Sequence, residues 1–136
     1  MSKVFQHPIR IYIEDTDAGG IVYYVNYLKF IERSRTELLR SFGYGKTAIL
    51  EEGLLLVVHS IDAQYLAPAK LDDEVIATAT VKKLARSYVV FEQQVIRDGH
   101  VLCSATAKIA CVNDKMKPTA LPAHLYQAIN AYYSED

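Results

Sequence analysis

The sequence has no tryptophan, only two cysteines, and few glycines and prolines, six and four in 136 residues. This excludes a collagen-like or low-complexity chain and a disulfide-stapled scaffold. Cys103 and Cys111 lie an even number of residues apart in one strand-like run, so they would share a face about 26 Å apart. They cannot pair within one straight strand. We expect both to be small core residues in a reducing compartment.

A strong excess of charge and a long apolar run are also missing. Fifteen basic side chains stand against 16 acidic ones, so no global basic field favours a nucleic-acid partner. The longest aliphatic run, residues 54–58, is too short to span a bilayer, and the N-terminus lacks a signal-peptide pattern. The four histidines show no metal spacing. We expect a soluble, cytoplasmic protein without a metal site, formed by a single domain over residues 1–136.

Residues 24–42 carry the only long helical pattern in the chain. Apolar side chains recur there at steps of three and four, with Arg35 as the one interruption, at Tyr24, Tyr27, Leu28, Ile31, Leu38, Leu39 and Phe42. Gly43 stands where a helix C-terminus usually has its glycine. The pattern therefore predicts a helix with one apolar face that ends near Phe42.

The rest of the chain favours strands. They are predicted over residues 4–13, 55–65, 74–84, 87–97 and 101–112, with Pro8 indicating an edge or irregular start and Asp98-Gly99 a tight hairpin. One strand face carries small residues, namely Ala77, Ala79, Cys103, Ala105 and Ala107, so a curved sheet can close over the bulky helix. Residues 122–133 predict a short C-terminal helix packed outside. The fold class is therefore α+β.

An acidic cluster precedes the long helix. Glu14, Asp15 and Asp17 are followed by Gly19 and Gly20, and then by the helix, whose first N–H groups and positive dipole end lie close by. A helix end of this kind can hold a developing oxyanion, and a nearby carboxylate can attack or deprotonate, which suits acyl transfer. Two alternatives are a solvated turn and a divalent-cation site, although the spacing of an EF-hand loop is missing.

The segment Asp15-Thr16-Asp17-Ala18-Gly19-Gly20-Ile21-Val22-Tyr23-Tyr24, continued by Asn26-Tyr27 and Glu32-Arg33-Ser34-Arg35, closely resembles the hot-dog thioesterases. It is most similar to the 4-hydroxybenzoyl-CoA thioesterase family and its Tol-Pal-associated, YbgC-type acyl-CoA thioesterase branch. The resemblance covers nearly the whole chain. It implies a hot-dog fold, in which a curved antiparallel sheet of about five strands wraps around one long central helix. It also implies hydrolysis of acyl-CoA to a free acid and coenzyme A, without a metal or redox cofactor.

The resemblance also implies roles for individual residues. Asp17 would act as nucleophile or general base, and the backbone amide of Tyr24, in the first turn of the helix, would point at the thioester oxygen. Many YbgC-type proteins carry histidine in place of Tyr24, so an amide role carries over and a histidine-like side-chain role does not. Gly19 and Gly20 would let the backbone turn sharply near the ligand, and Asn26 would line the pocket.

A basic group is the third candidate feature. Lys83, Arg86 and Ser87 bracket the break between two predicted strands and would clamp the phosphates of coenzyme A. The alternative for such residues is ordinary solvation.

The resemblance further implies that two chains join their sheets with each site at the chain interface, and that these dimers commonly pair into homotetramers.

Two other functions are open at this point. A hot-dog hydratase would want an Asp and His pair near the start of the helix, but no histidine lies between His7 and His59. A protein of a different class would bind acyl groups on an acyl carrier protein, or scaffold partners at the cell envelope, with little hydrolysis.

Overall fold

The computed structural model describes residues 3–44 and 53–134. In these described residues, five strands and two helices follow one another: β1 (Phe5–Arg10), a 3-10 turn (Ile13–Asp15), α1 (Asn26–Ser41), β2 (Leu55–Tyr65), β3 (Glu74–Leu84), β4 (Tyr88–Arg97), β5 (His100–Val112) and α2 (Ala123–Ser134). The strands form one antiparallel sheet in the order β1-β3-β4-β5-β2. The predicted α+β hot-dog architecture is confirmed.

The small-residue face lies beneath α1, as the sequence predicts. Ala77, Ala79, Cys103 and Ala107 have no exposed surface. Phe30 and Ile31 of α1 are equally buried and share a core cluster with Ala77 and Cys103. Because small side chains on the sheet leave room for large ones on the helix, the backbones of the two layers approach closely. Cys103 and Cys111 are free, buried thiols, as expected.

Local signals also set the ends of several elements. Asp98 and Gly99 both have positive φ, 50° and 79°, which is typical of the type I′ turn of a two-residue hairpin. Gly43, with φ 86°, follows α1 and donates its N–H to the carbonyl of Arg40. Pro8 lies on β1, an edge strand that pairs only with β3 within the sheet. The predicted hairpin, helix end and edge position are confirmed.

Two boundaries and the packing of one helix differ from the sequence prediction. β1 ends at Arg10 rather than near residue 13, because Ile13–Asp15 forms a 3-10 turn. Tyr24 is not in the first turn of α1, which begins at Asn26. The C-terminal helix does not merely pack outside: Leu125 and Ile129 are fully buried in the same core cluster as Leu38. α2 therefore completes the core beside the second half of α1.

Candidate active site

A small hairpin loop links β1 to α1 and carries the acidic cluster. The N–H of Asp17 donates to the carbonyl of Ile21 at 2.9 Å, and the N–H of Gly20 donates to the carbonyl of Asp17 at 3.1 Å. Gly20 has φ 81°, a left-handed conformation that favours glycine. A bridge between Ile21 and Lys70 joins the loop to the segment that precedes β3. The Gly-Gly pair thus makes the sharp turn that the sequence predicts.

The two aspartates of the loop have different surroundings. Oδ1 of Asp17 accepts the N–H of Gly19 at 2.8 Å, and the residue is exposed. Oδ2 of Asp15 instead accepts the N–H of Tyr12 at 2.8 Å within the 3-10 turn. No cation pairs with Asp17 among residues 3–44 and 53–134. One oxygen of Asp17 is therefore fixed by the backbone while the other is open to a ligand.

Asn26 holds this loop against the start of α1. Its side chain is 8% exposed, and its Nδ2 donates to the carbonyl of Asp15 at 2.8 Å. The same carbonyl accepts the N–H of Tyr23 at 3.0 Å. We expected Asn26 to line the pocket, but the structure turns its amide inward as a tie between loop and helix. The residue type carried no signal for this, because the acceptor is a backbone group.

Tyr24 precedes α1 in a turn and offers a free backbone donor. In the described part of the chain, no protein group accepts its N–H. Its side chain is 56% exposed and its ring contacts that of Tyr65, at 5.6 Å between centroids. Tyr65 in turn contacts Tyr27, whose hydroxyl accepts the N–H of Ala69 at 2.9 Å. Tyr65, at the end of β2, is a site neighbour that the sequence alone did not indicate, because only the fold brings it to Tyr24.

The predicted coenzyme A clamp lies elsewhere in the chain. The basic group lies where β3 ends and β4 begins, at Lys83, Arg86 and Ser87, whereas the acidic loop meets the segment just before β3, at Lys70. The 11 residues of β3 separate the two ends by about 33 Å. Within one chain, therefore, the structure does not bring the basic group together with Asp17.

The clamp residues themselves are ordered by short contacts. The carbonyls of Arg86 and Ser87 accept the N–H groups of Leu121 and Cys111, at 2.9 and 2.8 Å. Lys83 approaches the ring of Tyr88, and their hydrogen bond raises the pKa of the Lys83 ammonium. Both Lys83 and Arg86 are exposed, so they are free to meet a phosphate.

A cavity of about 260 Å³ lies between α1 and the first half of β2. Its described walls are Glu32, Arg35, Thr36, Leu39, Tyr44, Leu54, Leu55, Leu56, Val58, Phe91 and Ile109. The cavity is well separated from Asp17, because it borders the start of β2 and the acidic loop lies near its end at Tyr65. Arg35, the one interruption in the apolar helix pattern, is among its walls.

No other strand of the described chain pairs with the outer edge of β2. β2 pairs with β5 on one side only, and Val58, Ile61 and Tyr65 on it are 52%, 37% and 43% exposed. An edge strand with exposed apolar side chains is a ready template for another strand.

Within the described residues, no three His, Cys, Asp or Glu side chains converge as a metal site requires. The absence of a metal or cofactor stays a prediction.

Comparison with known proteins agrees with the α+β hot-dog class that the sheet and helix define. The sequence model of the thioesterase-like superfamily matches residues 11–129. The chain is 42% identical to the acyl-CoA thioesterase YbgC of Haemophilus influenzae, over 93% of this chain and 94% of that one. It is 39% identical to the acyl-CoA thioester hydrolase YbgC of Escherichia coli O6:H1, over 89% and 92%.

A solved structure gives the same result. The probable thioesterase from Bartonella henselae superposes with a TM-score of 0.85 at 31% identity, covering 88% of this chain and all of that one. This chain therefore belongs to the thioesterase-like superfamily. In the residues the structure describes, no helix has both the length and the apolar character to cross a membrane.

Proposed function

We propose that this chain hydrolyses acyl-CoA thioesters to a free acid and coenzyme A. Membership of the thioesterase-like superfamily and the two YbgC relatives support the reaction class. The observation that carries the proposal is the open carboxylate of Asp17 on the loop that leads directly to the free N–H of Tyr24. A carboxylate and an unused backbone donor are the two groups that acyl transfer requires.

In the proposed mechanism, the Tyr24 N–H donates to the thioester oxygen and stabilises the oxyanion. On one route, an oxygen of Asp17 bonds to the carbonyl carbon and coenzyme A leaves as its thiolate; water then cleaves the resulting anhydride. On the other route, Asp17 takes a proton from water, and that water attacks the carbonyl carbon directly. One such donor contributes a factor of about 10² to 10³ to kcat. Neither route uses a metal or redox cofactor, so a chelator should leave the rate unchanged.

The glycines have a supporting role in this proposal. A methyl group on Gly19 would lie 3.3 Å from Oδ1 of Asp17, a tight contact that would displace the carboxylate. Gly20 supplies the positive φ that returns the chain towards α1. Both therefore act on the position of Asp17 and leave the approach to its free oxygen open.

The active form that we propose is at least a dimer, joined through the open edges of β2. Antiparallel pairing of two β2 strands about a two-fold axis places the Tyr65 end of one copy beside the Leu55 end of the other. The support is the exposed apolar edge described above. Pairing of two dimers into a tetramer is a further step of the same proposal.

The same two-fold arrangement brings the basic group of one copy to the coenzyme A that is bound at Asp17 of the other copy. Within one copy, the basic group of Lys83, Arg86 and Ser87 lies at one end of the sheet and Asp17 lies at the other end. The second copy runs in the opposite direction, so its basic group lies at the end of the dimer that carries Asp17 of the first copy. We therefore assign the coenzyme A phosphates of each site to the basic group of the other copy. The two buried free cysteines are compatible with a reducing, cytoplasmic location.

The direct test is release of free thiol from a panel of short, long and aromatic acyl-CoA thioesters by the purified chain. Hydrolysis of at least one class would support the proposal and give its substrate class. Failure on every member, together with tight binding of acyl carrier protein, would support the carrier-binding or scaffold function instead.

A further inference from the structure

Arg35 is a charged side chain in the core of α1 that the proposed mechanism does not use. It is only 7% exposed, and Ile31 and Leu38, one turn before and after it on α1, are buried and apolar. Its Nη1 donates to Oε1 of Gln93 at 2.9 Å. Gln93, which is 1% exposed, donates in turn to the Ser34 hydroxyl and the Ile31 carbonyl. One edge of the guanidinium is therefore satisfied by a fixed internal network.

The rest of the guanidinium has no hydrogen-bond partner in the described part of the chain. Among residues 3–44 and 53–134, no acceptor bonds to Nε or Nη2 of Arg35. Yet the described chain contains no fully enclosed side-chain nitrogen or oxygen without a hydrogen-bond partner. The remaining donors must therefore open onto accessible space, and the space that Arg35 lines is the cavity between α1 and β2.

The cavity is otherwise suited to an apolar group of modest size. Most of its described walls are aliphatic or aromatic, including Leu39, Leu56 and Phe91. A dry apolar cavity of about 150 Å³ can hold benzene. A cavity of about 260 Å³ thus has room for a short, branched or aromatic acyl group, with the donors of Arg35 facing that group.

The charges near Arg35 favour a neutral acceptor over an anion. Burial lowers the pKa of Arg35, while the charge of Glu32, one turn earlier on α1, opposes that shift. Glu32 lines the same cavity, so the guanidinium already has a negative group nearby. A carboxylate on the acyl group would add another negative charge to this largely apolar space, whereas a hydroxyl or keto oxygen adds no charge.

We propose that Arg35 is a specificity-determining residue that donates a hydrogen bond to a hydroxyl or keto oxygen on the acyl group of the thioester. The proposal rests on the proposed thioesterase function and dimer. In that dimer, the start of β2 in one copy lies beside Tyr65 in the other, so one copy holds the acyl group that Asp17 of the other copy releases.

Matched pairs of substrates test this proposal. Hexanoyl-CoA is compared with its 3-, 4- and 5-oxo derivatives and with adipoyl-CoA, and benzoyl-CoA with its 3- and 4-hydroxy derivatives. We expect at least one neutral oxygenated substrate to exceed its parent in kcat/KM by about 10- to 100-fold, the range for a hydrogen bond from a charged donor. Arg35→Met removes the donors but keeps an apolar stem, so the ratio should fall to near one.

Two further variants separate recognition from folding. Arg33→Met alters an exposed arginine of the same helix that does not line the cavity, and should keep both the activity and the substrate ratio of the wild type. Arg35→Lys keeps one charged donor and should give an intermediate ratio, which carries the test if Arg35→Met does not fold. A purely structural role would lower activity on parent and oxygenated substrates equally and leave the ratio unchanged.

Binding gives a readout that does not depend on hydrolysis. Calorimetry with the non-hydrolysable thioethers hexyl-CoA and its oxo derivatives should show about tenfold tighter binding of one oxo ligand, lost in Arg35→Met. Loss of all hydrolysis with this preference intact would overturn the proposed function but not the role of Arg35. Hydrolysis without any preference, or the full wild-type preference in either Arg35 variant, would overturn the role of Arg35.

Discussion

The hydrogen bond from Asn26 to the acidic loop leads to a prediction in which effects on stability and on catalysis are measured separately. Asn26→Leu keeps the branching at Cγ, although leucine is larger, and removes the Nδ2 donor to the carbonyl of Asp15, which retains the N–H of Tyr23. Because the carbonyl keeps one partner, the loss should be about 1 kcal/mol of unfolding free energy, or a few degrees in Tm. The loop that carries Asp17 loses its side-chain link to α1, so kcat should fall more than KM rises.

Asn26→Asp sharpens the same test. At neutral pH the introduced carboxylate would face the Asp15 carbonyl with no proton to donate, in a site that is 8% exposed in the wild type. We expect a cost of about 2 to 3 kcal/mol, more than for Asn26→Leu. The introduced carboxyl should have a raised pKa, because only its protonated form can donate to the carbonyl. Its deficit relative to wild type should therefore shrink as the pH falls.

Thermal unfolding of the two variants and the wild type at several pH values, with kcat and KM measured in parallel, checks this prediction. Equal stability of the two variants at pH 7 would refute the inward-facing amide donor. An unchanged kcat in Asn26→Leu would refute the view that this tie positions Asp17.

Three other predictions follow from single features of the structure. Gly20→Ala places a side chain at φ 81° and should cost about 1 to 2 kcal/mol, seen as a lower Tm, whereas an unchanged Tm would contradict the left-handed turn. Burial raises the pKa of Cys103 from 9.0 to about 11, so as the pH rises the thiol ionises first in the unfolded chain. The wild type should therefore lose stability relative to Cys103→Ala between about pH 9 and about pH 11. Parallel curves of stability against pH for the two proteins would contradict this. Ile61→Lys adds a charge on the open edge of β2 and should convert dimers or tetramers to monomers in light scattering; an unchanged mass would exclude that edge as the interface.

The sequence was most informative where one local rule determines the result. The bounds of β2 and β3 follow from alternation, and they agree with residues 55–65 and 74–84 as predicted. The Asp98-Gly99 turn and the Gly43 helix end follow from residues that tolerate positive φ. Such signals act within a few residues, so they can be interpreted without knowledge of the tertiary fold.

The sequence was less informative where distant segments meet. The pairing of β2 with β5 instead of β3 depends on long-range contacts that leave no trace in either strand's own pattern. For the same reason, the contact of Tyr65 with Tyr24 and the distance of Arg86 from Asp17 emerged only from the fold. Arg35 was recognised as an interruption of the helix pattern, but the cavity beside it was not, because its walls come from several elements.

The most direct test of the central claim is the rate of coenzyme A release by wild type, Asp17→Asn and Glu14→Gln on the best substrate of the panel. Asp17→Asn keeps an oxygen that can accept the Gly19 N–H but removes the charge, whereas Glu14→Gln removes the charge of an exposed acid on the same loop. The account predicts a loss of about 100-fold or more for Asp17→Asn, which corresponds to about 2.7 kcal/mol of barrier, and a rate close to wild type for Glu14→Gln. Equal rates for wild type and Asp17→Asn would contradict the account and remove Asp17 from the mechanism.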